Sequence, residues 1–293
     1  MIAGPPALAP GRMVVPGKVA IIVLNWNAEP FLRRALSSIV RHTRQPYQLV
    51  VVDNGSTDGS KAFIREFAYT HPAVDMHSVD HANNLYFSRG YNSGFRAAAE
   101  DAEYLMVFCN DVEVKEDGWL EPLIAACGPP DVVAAGHAAP GTPLSAEQRD
   151  ILQRTAPRYA QTRLAERMRT FVESPGASYT HLFGYCFLLR RQLLTHTGLY
   201  LEEADFQQYH SDWEWCIRFE QLGYRIASAP MAVHHWHSVS ELLAFYPHRY
   251  RELLTAIEDP ETLATYLATG RPLFQEESGY RMLASRTPER EAE

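Results

Sequence analysis

Short unbroken apolar runs alternate with helix-spaced apolar positions through the first third of the chain. Val19-Ala-Ile-Ile-Val-Leu24 has no polar interruption, the pattern of a strand buried on both faces. Phe31, Leu32, Ala35, Leu36 and Ile39 follow at three-to-four spacing and predict a helix. Tyr47 to Val52 reads as a second buried strand, and Asp58 stands where it can cap a helix through Phe63, Ile64 and Phe67. Val74 to Val79 reads as a third strand, Ser88 to Ala99 as a helix and Tyr104 to Cys109 as a fourth strand. Strands and helices alternating at this interval predict an α/β fold with a mostly parallel sheet and right-handed crossovers.

The pattern then changes. His137 to Pro143 reads as a Pro/Gly loop, Ala146 to Phe171 as helical, and Ser174 to Ser178 as a break. Leu182 to Leu189 reads as a strand and Asp212 to Leu222 as a helix stopped by Gly223. Arg225 to Ser228 and Met231 to His235 read as short closing strands. Ser240 to Leu267 reads as helical in two pieces, broken near Pro247 and Pro260. The organisation predicted is a flexible, proline-rich leader over 1–17 with no signal-peptide core, a main domain over 18–240 and a helical C-terminal extension over 241–293. The main domain divides into halves at 18–115 and 116–240, with a helical insert at about 140–178. The charged tail from about Ser285 is expected to fray.

Composition narrows the function. The 293 residues carry 27 Lys and Arg against 35 Asp and Glu, a formal net charge of −8. With 46% hydrophobic residues the chain is too apolar to be disordered, and no run is long enough to span a bilayer as a helix. No basic block exists for gripping nucleic acid. Cys109, Cys127, Cys186 and Cys216 form no CxxC pair, so reduced thiols in a cytoplasmic protein are the expectation.

In an open α/β sheet, ligands bind beyond the carboxyl ends of the strands. Those ends carry Asn25-Trp-Asn27, Asp53-Asn-Gly-Ser56 and Asn110-Asp-Val-Glu113. No phosphate-cradling Walker A or GxGxxG loop follows the first strand. An acidic rim without such a loop points to a divalent cation, Mg²⁺ or Mn²⁺, handling any phosphate. Each end taken alone is also compatible with a turn or a helix cap. Ser211-Asp-Trp-Glu214 offers a base beside an aromatic ring, or merely an acidic helix N-terminus. His234-His-Trp-His237 offers one ligand for a mixed carboxylate/His site, or an exposed His-rich loop.

Together these segments closely resemble family 2 glycosyltransferases of the GT-A fold. The likeness runs through Val19 to Asn27, Leu49 to Gly59, Asn84 to Gly94, Phe108 to Val114, Gly184 to Arg191, Gly198 to Glu203, Ser211 to Arg218 and the His cluster up to Ser240, in order. It is similar in particular to bacterial cell-surface polysaccharide and rhamnosyl-type transferases. The resemblance implies a Rossmann-like mixed sheet flanked by helices, with the nucleotide-sugar half first and the acceptor half second. It implies that Leu24, Asn25, Asn27, Asp53, Asn54, Asn84, Arg89, Asn92 and Asn110 bind the nucleotide-sugar. Asp111 and His235 are implied as metal ligands, with Glu113 and His237 weaker, and Asp212 as the general base. Gly184, Tyr185, Trp213 and Glu214 are implied on the acceptor side. The reaction implied is an inverting transfer from a nucleoside-diphosphate sugar to a hydroxyl of a glycan or lipid-linked saccharide.

Four positions depart from the family pattern: Cys109 opens the DxD region, Ser211 replaces a Glu, Glu214 a frequent Asp, and Tyr86 a Gly. They bear on metal affinity and sugar choice. Two other readings remain at this stage, a catalytically inactive sugar-nucleotide-binding module and a nucleotidyltransferase. The latter normally carries a Gly-rich basic loop that is absent after Leu24. Arg149, Arg154, Arg158, Arg163, Arg167 and Arg169 read either as a solvated face or as a peripheral contact with the anionic inner face of a membrane. No oligomeric state is legible.

Overall fold

The computed structural model describes residues 14–155, 163–202, 204–206, 210–236, 239–245, 247–259 and 261. The chain divides into two compact units, Met1–Val233 and His234–Glu293. In the first unit β1 (Val15–Asn25), α1 (Glu29–His42), β2 (Tyr47–Asp53), α2 (Ser60–Thr70), β3 (Met76–Asp80), α3 (Tyr86–Ala97) and β4 (Ala102–Cys109) alternate as the pattern predicts. β5 (Val112–Val114), α4 (Glu121–Ala126), β6 (Val132–Pro143), α5 (Ala146–Thr155) and α6 (Arg163–Glu173) follow. β7 (Ser178–Arg190), α7 (Leu194–Thr197), α8 (Ser211–Gln221) and β8 (Arg225–Ser228) complete the main sheet and its helices. A short strand, β9 (Val233–His235), ends the first unit and opens the second. The second unit continues in α9 (Val239–Phe245) and α10 (Pro247–Glu258), which pack on each other.

The sheet order is β3-β2-β1-β4-β7-β6-β8. β1 pairs in parallel with β2 and β4, β2 with β3, and β6 with β8. β7 alone runs antiparallel, against both β4 and β6. The central strands are apolar on both faces because both faces are covered. Ala20, Ile22, Val50 and Val52 pack with Tyr91 and Phe95 of α3 and with the aromatic residues of α8. Val19, Ile21, Val23, Leu49 and Val51 pack with Leu32, Leu36 and Ile39 of α1 and with Phe63 and Phe67 of α2.

Two differences from the sequence pattern are instructive. Val15 to Gly17, expected in the leader, already belong to β1, where Val15 is in register with Ala102. His137 to Pro143, expected as a loop, is the second half of β6. Its ladder with β7 shifts register between Gly136 and Ala138 and again between Ala139 and Thr142. β8 pairs only as far as Gly136, so Pro140 lies on a stretch of β6 whose β8 side has no ladder to lose. The residues after 261, including the expected fraying tail, lie outside the described residues, as do residues 1–13.

Helix α3 lies against β1 and β2 through glycine. A Cβ on Gly94 would stand 2.4 Å from Ile22 Cγ2 and 3.0 Å from Val52 Cγ2. A Cβ on Gly90 would stand 2.5 Å from Leu24 Cδ1. This close approach sets how deep the start of α3 reaches over the sheet edge. Gly94→Ala therefore overpacks a closed core, and the expected cost is about 1–3 kcal/mol. A lowered urea midpoint with unchanged slope is the measurement that checks it.

Candidate functional site

The carboxyl ends of β1, β2 and β4 meet at one carboxamide. Asn25 is fully buried. Its Nδ2 donates to Asp53 Oδ1 at 3.2 Å and to Ser56 Oγ at 3.2 Å, while its Oδ1 accepts from Asn110 Nδ2 at 2.8 Å. Its backbone carbonyl accepts from the Asn54 amide at 2.8 Å. Asp53 is in turn held by the Ser56 amide at 3.0 Å and faces the Lys61 ammonium at 3.7 Å. Asn27, left-handed at φ 49°, accepts from the Thr57 amide at 2.6 Å. Asp58 serves two helices, accepting from the amide of Ser60 at 2.9 Å and of Glu29 at 3.1 Å.

Asn54 carries this order to the next loop. Its amide donates to Asn84 Oδ1 at 2.8 Å and to the Tyr86 carbonyl at 3.0 Å, and its Oδ1 accepts from the Leu85 amide at 2.9 Å. Tyr86 opens α3 at φ 62° with 47% of its surface exposed. The backbone is left-handed there although the side chain is bulky, a conformation that costs an L residue about 1–2 kcal/mol. Gly55, at φ 77°, has no room for a side chain: a Cβ would meet Asn83 backbone at 2.4 Å.

Asn92 is placed differently from its neighbours. Fully buried, it brackets Tyr200, donating to its carbonyl at 2.9 Å and accepting from its amide at 3.1 Å, and it donates to Glu202 Oε1 at 2.7 Å. Its side chain therefore holds the 200–202 segment. Arg96 and Arg89 approach the same carboxylate at 3.0 and 3.8 Å, and Leu24 is half-buried under α3.

The acidic half of the site gathers at the end of β4. Asp111 is buried, 6% exposed. Glu113 is ion-paired to Arg34. Cys109 lies 3.4 Å from the Tyr91 hydroxyl and 3.9 Å from the Gly184 carbonyl. Burial first, then the charge of Asp111 and, more weakly, that of Asp212, push its thiol well above the ordinary range. A thiol is a poor ligand for a hard cation, which takes oxygen.

Asp212 reaches this place over a glycine. Its Oδ2 lies 3.3 Å from where a Cβ on Gly184 would stand, and its Oδ1 accepts from the Trp213 amide at 2.8 Å. The side chain is 29% exposed and His181 Nε2 stands 4.0 Å away. Glu214, two residues on, points inward instead. It is fully buried and holds Arg218 through two bonds, at 3.0 and 2.5 Å. Arg218 in turn donates to the carbonyls of Thr197 and Leu199, both at 2.8 Å. Trp213 is likewise buried and donates to His210 Nδ1 at 3.0 Å. Tyr185 Oη lies 3.1 Å from His137 Nδ1.

Of the remaining expectations, His235 ends β9 and belongs to the second unit, and His237 lies outside the described residues. Among the described residues no three His, Cys, Asp or Glu side chains form a metal cage. One buried carboxylate at Asp111 fits a cation that takes its other oxygens from water and a diphosphate. In the Arg-rich segment, Arg154 pairs with Asp150 and Asp205 at 3.1 and 3.0 Å, and Arg167 donates to the Gln221 carbonyl at 2.6 Å. Arg158 lies outside the described residues. Among the described residues no helix is long and apolar enough to cross a membrane. Ser56, Lys61 and His181 stand in the site without having been singled out by the sequence pattern. Only Ser56 lay inside a quoted motif.

Residues 20–198 match the model of the family described as glycosyl transferase family 2. The chain is 31% identical over 109 residues to glycosyltransferase GlyA of Streptococcus pneumoniae, covering 37% of this chain and 14% of that protein. It is 28% identical over 120 residues to an uncharacterized glycosyltransferase of Nostoc sp., covering 41% and 36%. The chain therefore spans little more than a third, at most, of these relatives' lengths. The mannosyltransferase PcManGT from Pyrobaculum calidifontis, solved with GDP-Man and Mn²⁺, shares the fold at TM-score 0.54 and 21% identity, over 77% of this chain and 57% of that one. GalNAc-T7, solved with UDP, GalNAc and Mn²⁺, shares it at TM-score 0.54 and 15% identity, over 74% and 43%. The fold is thus GT-A, as the mixed, mostly parallel sheet indicates.

Three buried thiols give a pH signature. Burial pushes Cys127 up to about 12 from an ordinary 9.0, and pushes Cys186 and Cys216 well above it too. Above the ordinary value the unfolded chain releases these protons and the folded chain keeps them, so stability falls as pH rises. The expected loss between about pH 8 and about pH 10 is roughly 1 kcal/mol for each buried thiol. Urea midpoints at the two pH values measure it, and an equal midpoint at both overturns it.

Proposed function

Because the chain belongs to glycosyl transferase family 2, we propose that it transfers a sugar, with inversion, from a nucleoside diphosphate to a hydroxyl of a saccharide acceptor. The observation that carries this reading is the approach of Asp212 over Gly184 to the end of β4, where Asp111 is buried. One carboxylate is enclosed and suited to a cation, and the other is partly open and suited to take a proton. The nucleotide reading rests on the Asn25, Asp53, Asn54 and Asn84 loops, which are bonded into one rim.

In this mechanism the acceptor hydroxyl gives its proton to Asp212 as its oxygen bonds to the anomeric carbon. The bond from that carbon to the diphosphate breaks on the opposite face, through an oxocarbenium-like transition state. Mg²⁺ or Mn²⁺ held by Asp111 would offset the charge gained by the leaving diphosphate. The solved neighbours carrying GDP-Man or UDP with Mn²⁺ support a nucleotide donor and a divalent cation. The acceptor in this reading is a glycan or lipid-linked saccharide, and the chain is cytoplasmic.

Cys109 at the head of the acidic region and Ser211 in place of a Glu favour one second reading, a module that binds the sugar nucleotide without turnover. A donor panel scored by nucleoside-diphosphate release, with and without Mn²⁺, separates the two. The expected result is Mn²⁺-dependent release from one donor class. Asp212→Asn should lower transfer about 10²- to 10⁴-fold with nucleotide affinity nearly unchanged, and Asp111→Asn should remove the stimulation by Mn²⁺. Retained turnover in Asp212→Asn sinks the base assignment, and silence across the whole panel favours the binding module.

A further inference from the structure

Four rings run outward from the side of Asp212 along β7 and β6. His181, whose Nε2 is 4.0 Å from Asp212, meets Phe183 edge-on with centroids 4.9 Å apart. Phe183 stacks on His137 at 4.5 Å and 28°. His137 meets Tyr185 edge-on at 6.3 Å and is linked to its hydroxyl at 3.1 Å. His181, Phe183 and Tyr185 are half-buried and His137 is exposed, so the ladder opens to solvent while its inner end touches the site.

The strand is irregular where the ladder forms. The β6 ladder skips from Ala138↔Leu182 to Gly136↔Phe187, so the stretch 183–186 does not keep the pleat alternation of its flanks. Leu182 and Phe187 consequently face one core although they are five positions apart. Phe183 and Tyr185 flank Gly184 on this stretch, and Tyr185 also packs against the core formed with α1 and α2. Gly184, inside it, leaves the opening that the carboxylate occupies.

We propose that this ladder is the platform on which the acceptor sugar rests. The proposal deepens the reading above and rests on Asp212 as the base. An apolar ring face with polar edges suits a pyranose, which presents a C–H face and a rim of hydroxyls, better than it suits an alkyl chain. The polar edges are at hand. They are His181 Nε2, 4.0 Å from Asp212, and the Tyr185 hydroxyl, 3.1 Å from His137 Nδ1. The Tyr185 phenol, pushed up to about 12 by burial, stays a neutral hydroxyl at any working pH. An acceptor stacked here brings a hydroxyl to Asp212 without a charged ligand.

Saturation-transfer NMR on the full chain tests it without any donor present. The probes are the methyl glycosides of glucose, galactose, N-acetylglucosamine and rhamnose, with octyl glucoside. Ring protons of at least one glycoside should receive saturation from the wild-type protein. Phe183→Leu keeps the apolar volume and loses the ring, and should weaken that binding roughly tenfold. Phe183→Tyr should retain it. A melting temperature within the wild-type range guards against misfolding of the Leu variant. Equal ring saturation in Phe183→Leu and wild type overturns the platform, as does the absence of ring saturation with every probe. Saturation confined to the octyl chain also overturns it, since the surface is then one for lipid. Failure of the base reading shows elsewhere, as turnover retained by Asp212→Asn, whereas the NMR reads sugar contact alone.

Discussion

The carboxamide of Asn25 holds the site together. Three strands end side by side, and each leaves polar groups where the sheet stops. A buried amide with both donor and acceptor satisfied can tie all three ends, and Asn25 does so with the side chains of Asp53, Ser56 and Asn110. The arrangement is costly to break, because any lost partner leaves a buried polar atom unpaired. Asn54 and Asn84 then extend the order to the start of α3, so a chain of short amides, without a glycine-rich cradle, shapes the rim.

The acceptor half depends on a different device. Glu214 and Arg218 form an ion pair inside the protein, and Arg218 also collects the carbonyls of Thr197 and Leu199. A buried pair of this kind contributes little net stability against an apolar replacement, yet leaves an isolated charge if one member is removed. Its effect is directional. It anchors the turn around Gly198 against α8, whose first turn carries Asp212. With Asn92 gripping Tyr200 from α3, the segment between these anchors is fixed from both halves of the sheet.

The strands with unbroken apolar runs were legible because both of their faces are covered, and no tertiary detail is needed to say so. β6 was not legible past Gly136, because Pro140 and Gly141 are tolerated only where pairing is one-sided and the ladder slips. The polar strand ends were legible as a rim, since an α/β sheet places them together. The division of labour between Asp212 and Glu214 was half legible: i and i+2 spacing predicts different faces, but the inward turn of Glu214 depends on carbonyls supplied by another loop. Asn92 carried no sign of its partner at Tyr200, since the contact spans 108 positions. The ring ladder was hidden for a related reason: 181, 183 and 185 share a face by strand alternation, but their partner His137 comes from another strand.

Among the described residues, those other than glycine with positive φ are Asn27, Tyr86 and His210. All three stand at loops that bound the site: Asn27 follows β1, Tyr86 opens α3, and His210 precedes Asp212. Strain of this kind persists where surrounding contacts override local preference. It also sets an engineering boundary. A search for stabilising substitutions would be drawn first to Tyr86, where glycine relieves the backbone, and would thereby strip an exposed aromatic ring from the mouth of the rim. In this protein the cheapest routes to a tougher fold pass through its working edge.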